Sequence, residues 1–194
     1  DEHGILLVFD EIQSGWGRTG KFFASEHFGV VPDIMTLGKA IAGGLPMSAI
    51  VSTPEIMGKW LPGMHGTTFG GHPICAAAAL AVLDTFKEEN ILDNCNKQGA
   101  YLKERLYDLK AKYPIIGDVR GLGLMLALEF IKPEDRSPNA EAFSKVRQFC
   151  LDNKMLVLGC GVYANGFRIA TPLNVGREDI DKGLDILDAA LKAL

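Results

Sequence analysis

The chain has 194 residues, 47% of them apolar and 23% charged, with a formal net charge of −4. That is ordinary globular composition, enough for one medium domain or two small ones with real cores. The charge balance argues against a nucleic-acid partner, which needs clustered Lys and Arg; no apolar run approaches the about 20 residues of a membrane-spanning helix, and no secretory signal is visible.

The first residue is Asp1 rather than Met, and the chain runs almost at once into the apolar stretch Ile5-Leu6-Leu7-Val8-Phe9. Such a start is expected of a piece of a longer protein. The stretch reads as a strand buried on both faces and ends in Asp10-Glu11. A Gly-rich turn region, Ser14 to Lys21, follows. Pro32-Asp33 introduces a second short strand, Ile34-Met35-Thr36-Leu37, leading to Lys39. Gly43-Gly44-Leu45-Pro46 is a loop, and Ser48 to Ser52 reads as a third strand. Another Gly-rich loop, Gly66 to His72, precedes Pro73, well suited to the first position of a helix. The Ala-rich run Cys75 to Leu83 is strongly helix-forming and apolar nearly all round, so this helix is expected to be buried. A second long helix is expected over Asn94 to Lys112, with apolar residues at Tyr101, Leu102, Leu106 and Leu109.

The character then changes. Val119 to Glu129 reads as a strand entered through glycines, and Pro133 to Pro138 as a polar loop. A helix is expected from about Ala140 to Asn153, strands over Met155 to Gly159 and Gly166 to Thr171, and a closing helix from about Arg177. The expected class is therefore α/β followed by a smaller α+β unit, with domains at 1–94 and 95–194. Neither an internal repeat nor a low-complexity tract appears.

Asp10 and Lys39 each lie at or just beyond the C-terminal end of a short strand, the edge where open α/β sheets bind ligands. Lys39 is flanked by Gly38, Ala40, Ile41 and Ala42, with no carboxylate nearby in sequence. Taken alone it reads as an exposed loop lysine; buried, it would be activated as a nucleophile. Asp10 alone reads as a strand-end cap or an ion-pair partner. The Gly66-Thr67-Thr68-Phe69-Gly70-Gly71 loop before a helix suits a phosphate or a plain Gly/Thr turn. Arg168, flanked by Phe167 and Ile169 on the opposite strand face, suits a carboxylate or the outside of an edge strand. Cys75, Cys95, Cys150 and Cys160 form no CxxC pair, and His3, His27, His65 and His72 have no metal-binding spacing. Free thiols in a reducing cytoplasm and no metal are expected. Gly15 to Lys21 also matches the first seven positions of a phosphate-binding P-loop, but Phe22 stands where a magnesium-binding hydroxyl is required, and no apolar strand leads directly into it.

Together these motifs resemble the class III aminotransferases, a branch of the fold-type I enzymes that use pyridoxal 5′-phosphate (PLP). Leu6 to Gly20 resembles the family signature around its cofactor aspartate, Pro32 to Lys39 the segment carrying its Schiff-base lysine, Gly66 to Pro73 its second phosphate-contacting loop, and Phe167-Arg168-Ile169 its substrate-carboxylate site. Lys39 follows Asp10 by the same interval at which Thr68 follows Lys39, again as in the family. The resemblance covers nearly the whole chain. It implies that Lys39 is catalytic and joins PLP, then shuttles the substrate proton. Asp10 pairs with the pyridine nitrogen, Gln13 bonds near the phenolic oxygen, Thr68 reaches the phosphate from the neighbouring subunit of a homodimer, and Arg168 binds a substrate carboxylate. The small-molecule partners implied are an amino donor and a 2-oxo acid acceptor.

His72 stands where the family more often has Asn. The family's first half, with the Gly-rich phosphate cup, the ring-stacking aromatic and the substrate-selecting residues, is absent from the sequence. The implied fold is the C-terminal part of the large domain followed by a small C-terminal domain. Overall similarity points to 4-aminobutyrate aminotransferases and related ω-amino acid enzymes, with acetylornithine or ornithine aminotransferase as an alternative. A folded but inactive fragment is the non-enzymatic alternative.

Overall fold

The computed structural model describes residues 2–194. The chain divides into two compact units, Asp1–Leu92 and Asp93–Leu194.

The first unit is built on a three-stranded sheet of β1 (Val8–Asp10), β2 (Ile34–Leu37) and β3 (Ala49–Ser52), in that order. β1 and β2 run parallel, with Asp10 opposite Thr36, and β3 returns antiparallel to β2. Asp33 sets the register where the parallel pair begins: its carboxylate accepts from the Leu7 amide at 2.7 Å, and its own amide donates to the Leu7 carbonyl at 2.9 Å. Two helices follow, the single turn α1 (Pro54–Met57) and the longer α2 (Pro73–Glu88). Pro73 occupies the first position of α2, and His72 caps it, Nδ1 accepting from the Ile74 amide at 3.3 Å. The core gathers around Trp16, Leu37, Ile41 and Ala42, with the rings of Phe22, Phe23 and Phe86 packed against it.

Two sequence expectations need correction here. Regular pairing in the first strand starts at Val8, not Ile5, and the run is not buried on both faces: Ile5 to Val8 are exposed, Ile5 73% accessible, and Phe9 is half-buried. Likewise α2 turns Ala78, Ala79, Val82 and Phe86 toward the core but leaves Leu80 64% accessible and buries no residue fully. The cause is the same in both. An all-apolar element is buried only if layers lie on both of its faces, and among the described residues only one face has a partner.

The second unit contains most of α3 (Ile91–Lys112), then β4 (Ile116–Leu122), β5 (Met125–Phe130), α4 (Ala140–Asp152), β6 (Leu158–Cys160), β7 (Gly166–Ile169) and α5 (Arg177–Lys192). Its four strands form an antiparallel sheet in the order β4-β5-β7-β6. Alternation along β5 sends Leu126, Leu128 and Phe130 into the core. Helix α5 meets them with Ile180, Leu184, Leu187 and Leu191, spaced to lie on one helical stripe. The segment expected as one strand, Val119 to Glu129, belongs to a hairpin that turns at Gly123-Leu124. Gly121 and Gly123 have φ of +129° and +53°, a region open to glycine and strained for other residues, which is why the chain reverses there.

No helix among the described residues is long and apolar enough to cross a membrane.

Candidate active site

Because β1 and β2 are parallel, their C-terminal ends open at the same edge of the sheet. Asp10 is the last residue of β1, and Lys39 follows β2 after the single residue Gly38.

Asp10 is exposed, and Oδ1 takes both of its protein donors, Thr36 Oγ1 at 3.0 Å and the Ile12 amide at 3.0 Å. No described residue donates to Oδ2. A carboxylate oriented through one oxygen, with the other open, is ready for an external cation or N–H donor.

Lys39 has φ of +49°, a left-handed conformation that costs a non-glycine residue about 1 kcal/mol or more and gathers at functional sites. It opens a short 3-10 turn, Lys39–Ala42, whose Ile41 and Ala42 are buried; these two anchor the turn and hold the lysine in place. The Lys39 ammonium donates to Gln13 Oε1 at 3.4 Å. The side chain is exposed rather than desolvated, because none of the described residues covers it.

The turn that carries Gln13 is stiff. The Glu11 amide donates to the Thr36 carbonyl at 3.0 Å, and the Gly15 amide donates to the Glu11 carbonyl at 3.0 Å. Beyond it Trp16 and Gly17 have positive φ, and the Trp16 indole packs edge-on against Phe22 and Phe23. Only a short 3-10 segment, Ala24–His27, comes after this region, so the P-loop architecture of strand, loop and long helix is not present at Gly15–Lys21.

Thr68 lies in the exposed loop before α2 and shares no hydrogen bond with Asp10, Gln13 or Lys39. Its neighbour Thr67 borders a cleft of about 920 Å³ together with Ser48, His65, His72 and Cys75. Arg168 sits on β7 in the second unit, paired with Ala127 and Leu158. Its Nε is buried with no hydrogen-bond partner among the described residues, and it borders a largely apolar cavity of about 280 Å³. A buried guanidinium N–H without an acceptor is costly unless a ligand supplies one. Among the described residues no disulfide joins any of the four cysteines, and no cluster could hold a metal ion.

Sequence reasoning missed the partners that orient these groups. Thr36 could have been found from the register of two parallel strands. The Glu11–Ser14 bond stays within one turn, but the bond of Glu11 to Ser25 carries no local signal, because Ser25 lies further along the chain in the 3-10 turn Ala24–His27.

The family model for aminotransferase class-III matches residues 1–191. A 5-aminovalerate aminotransferase of Pseudomonas putida is 46% identical over 188 residues, covering 97% of this chain and 44% of that protein. A 4-aminobutyrate aminotransferase of Escherichia coli is 44% identical over 188 residues, covering 96% of this chain and 44% of the other. Among solved structures, a phospholyase from Arthrobacter in complex with phosphoethanolamine superposes with a TM-score of 0.92 at 31% identity, over 97% of this chain and 46% of its own. The chain thus spans less than half the length of these relatives.

Proposed function

The chain belongs to the class-III aminotransferases, and from that premise we propose that it forms the lysine-bearing part of a PLP-dependent enzyme. The proposed reaction moves an amino group from an ω-amino acid, such as 4-aminobutyrate, to a 2-oxo acid. The observation that carries this reading is the pairing, at one sheet edge, of a carboxylate with an open oxygen at Asp10 and an exposed, conformationally strained amine at Lys39.

The residues present fit PLP. Asp10 Oδ2 is available to a protonated ring nitrogen, Lys39 Nζ to the aldehyde carbon, and Gln13, already beside Lys39, to the phenolic oxygen. Thr68 would contact the phosphate in the neighbouring site of a homodimer. When bound, PLP supplies an electron sink for the charge left after a proton leaves the amine-bearing carbon. Asp10 holds the proton on the ring nitrogen, since a carboxylate beside a cation favours the charged form of both. Lys39 Nζ takes up and returns the proton at the reacting carbon as a general base and acid. Arg168 grips the substrate carboxylate with two parallel hydrogen bonds, which its unsatisfied Nε supports. A reducing, cytoplasmic setting is part of the same proposal.

On this reading the chain does not complete the site alone. Asp10 and Lys39 are both open to solvent, and the apolar residues Ile5 to Val8 lack a cover. The domain assignment that goes with it places 1–94 in the large PLP-binding domain and 95–194 in the small domain.

The test uses the complete polypeptide loaded with PLP. 4-Aminobutyrate should bleach the visible absorbance and a 2-oxo acid should restore it, with Lys39→Ala abolishing both changes. Faster bleaching by N-acetylornithine would assign the alternative donor. Normal exchange in Lys39→Ala would rule out the lysine's role.

A further inference from the structure

Glu11 is the one charged side chain buried among the described residues, at 1% accessibility. Glutamates are rarely buried without a counter-charge, yet no cation pairs with it among the described residues. Its partners are neutral donors: the Ser14 hydroxyl donates to Oε2 at 2.5 Å and the Ser25 amide to Oε1 at 2.8 Å. Its backbone is engaged too, the amide with the Thr36 carbonyl and the carbonyl with the Gly15 amide, both at 3.0 Å. Glu11 thereby ties three pieces of chain together: the end of β2, its own turn, and the 3-10 turn Ala24–His27 through Ser25.

What these ties hold is specific. Asp10 and Gln13 flank Glu11 on the same turn. Asp10 is oriented by Thr36 and the Ile12 amide, but nothing within the turn fixes Gln13 from its own side; its carbonyl oxygen meets only the Lys39 ammonium. The path from Ile12 to Ser14 is set by Glu11, which grips Ser14 and the Gly15 amide just beyond Gln13. Gly15 packs close on the same residue: an added Cβ would lie 2.8 Å from the Glu11 carbonyl oxygen.

We propose that Glu11 is a positioning residue for the cofactor site: its buried side chain, holding Ser14 and Ser25, keeps the turn on the path that presents Gln13 to Lys39. Glu11 itself touches neither cofactor nor substrate. This rests on the PLP reading above. It predicts that a loss at Glu11 is felt through Gln13, as residues behind a ligand shell act through the ligands they orient.

The experiment measures PLP affinity of the complete polypeptide by titrating the visible absorbance, for wild type, Glu11→Ala, Gln13→Ala and the double variant. Glu11→Ala should weaken PLP binding on the order of tenfold, as for other supporting-shell changes. The double variant should bind no worse than the weaker single variant, because the two changes remove one effect. Glu11→Gln, which keeps an acceptor for the Ser25 amide, should recover most of the loss. If Glu11→Ala does not fold, Ser14→Ala takes its place in the same cycle, with a smaller loss that is likewise absent in the Gln13→Ala background. Effects that add fully with Gln13→Ala, or unchanged affinity in a folded Glu11→Ala or Ser14→Ala variant, would overturn the proposal while leaving the PLP reading intact. A wild-type polypeptide that does not bind PLP would overturn both.

Discussion

Replacing Gly99 by alanine sets two effects of opposite sign against each other. Gly99 lies inside α3, where glycine costs about 1 kcal/mol relative to alanine, so on a free helix surface the change would stabilise. Here an added Cβ would lie 2.3 Å from the Gly123 carbonyl oxygen, 2.5 Å from its carbonyl carbon and 2.9 Å from its Cα. All three are backbone atoms of the β4–β5 turn and cannot rotate aside as the tip of a side chain would. Overpacking a tight contact costs about 1–3 kcal/mol, and the upper end applies where the obstacle is backbone. The turn is also held by the positive φ values at Gly121 and Gly123, which leave it little room to adjust. The clash therefore wins, and the net destabilisation is about 2 kcal/mol. For a unit of this size that corresponds to a fall in Tm of roughly 10 °C. Thermal and urea unfolding followed by circular dichroism would measure it. Ala100→Gly on the exposed side of the same helix serves as control, losing about 1 kcal/mol from helix propensity alone. A Gly99→Ala variant as stable as wild type, or more so, would refute the close approach of helix and turn. The disturbed hairpin adjoins the residue proposed to bind the substrate carboxylate, since β5 pairs with β7 and Ala127 lies opposite Arg168.

Two further predictions concern pH. The Asp188 carboxylate accepts from Lys112 and Lys192, each at 2.6 Å, and from the Tyr113 hydroxyl at 2.8 Å; the hydrogen bond from Lys112, followed by those from Lys192 and Tyr113, holds it well below the usual carboxylate range. A depressed folded value means the stabilisation is complete above the ordinary aspartate pKa of about 4 and is lost as pH falls through the folded value. Asp188→Asn should therefore lower Tm at neutral pH and converge with wild type in strong acid; an equal deficit at every pH would contradict this. Burial pushes the Cys150 thiol up to about 11. Its neutral form is favoured in the fold, so stability should be lost as pH rises from about 9 toward that value, where the unfolded thiol already ionises. Cys150→Ala should flatten that alkaline decline, and a thiol reagent at neutral pH should label half-buried Cys75 and Cys160 before Cys95 and Cys150. Early labelling of Cys150 would show that its site opens to solvent.

Much of the second unit was legible because its signals are local. The apolar stripe of α5 and the alternation of β5 report directly which face is buried. The hairpin at Gly123 was missed for a physical reason: its residues remain apolar through the turn, and the glycines that permit the reversal suit the entry to a single strand equally well. In the first unit β2 was legible with its bounds, whereas the burial expected for β1 and α2 was not realised. An apolar run reports that a face prefers cover, not that cover is present. The candidate site divides similarly. Asp10 and Lys39 stood out by their places at strand ends and by their resemblance to a known pattern. The bonds that hold them, Thr36 with Asp10 and Gln13 with Lys39, and the bond of Ser25 to the Glu11 side chain beside them, depend on how separate segments meet, which neither periodicity nor composition encodes.

The central claim is that Lys39 is the residue that holds PLP. It is tested most directly by adding PLP to the complete polypeptide, fixing the adduct with borohydride and mapping the labelled peptide. The account predicts a single stoichiometric label on Lys39, lost in Lys39→Ala with the fold intact. A label on another lysine, or none on a folded and complete polypeptide, would contradict it.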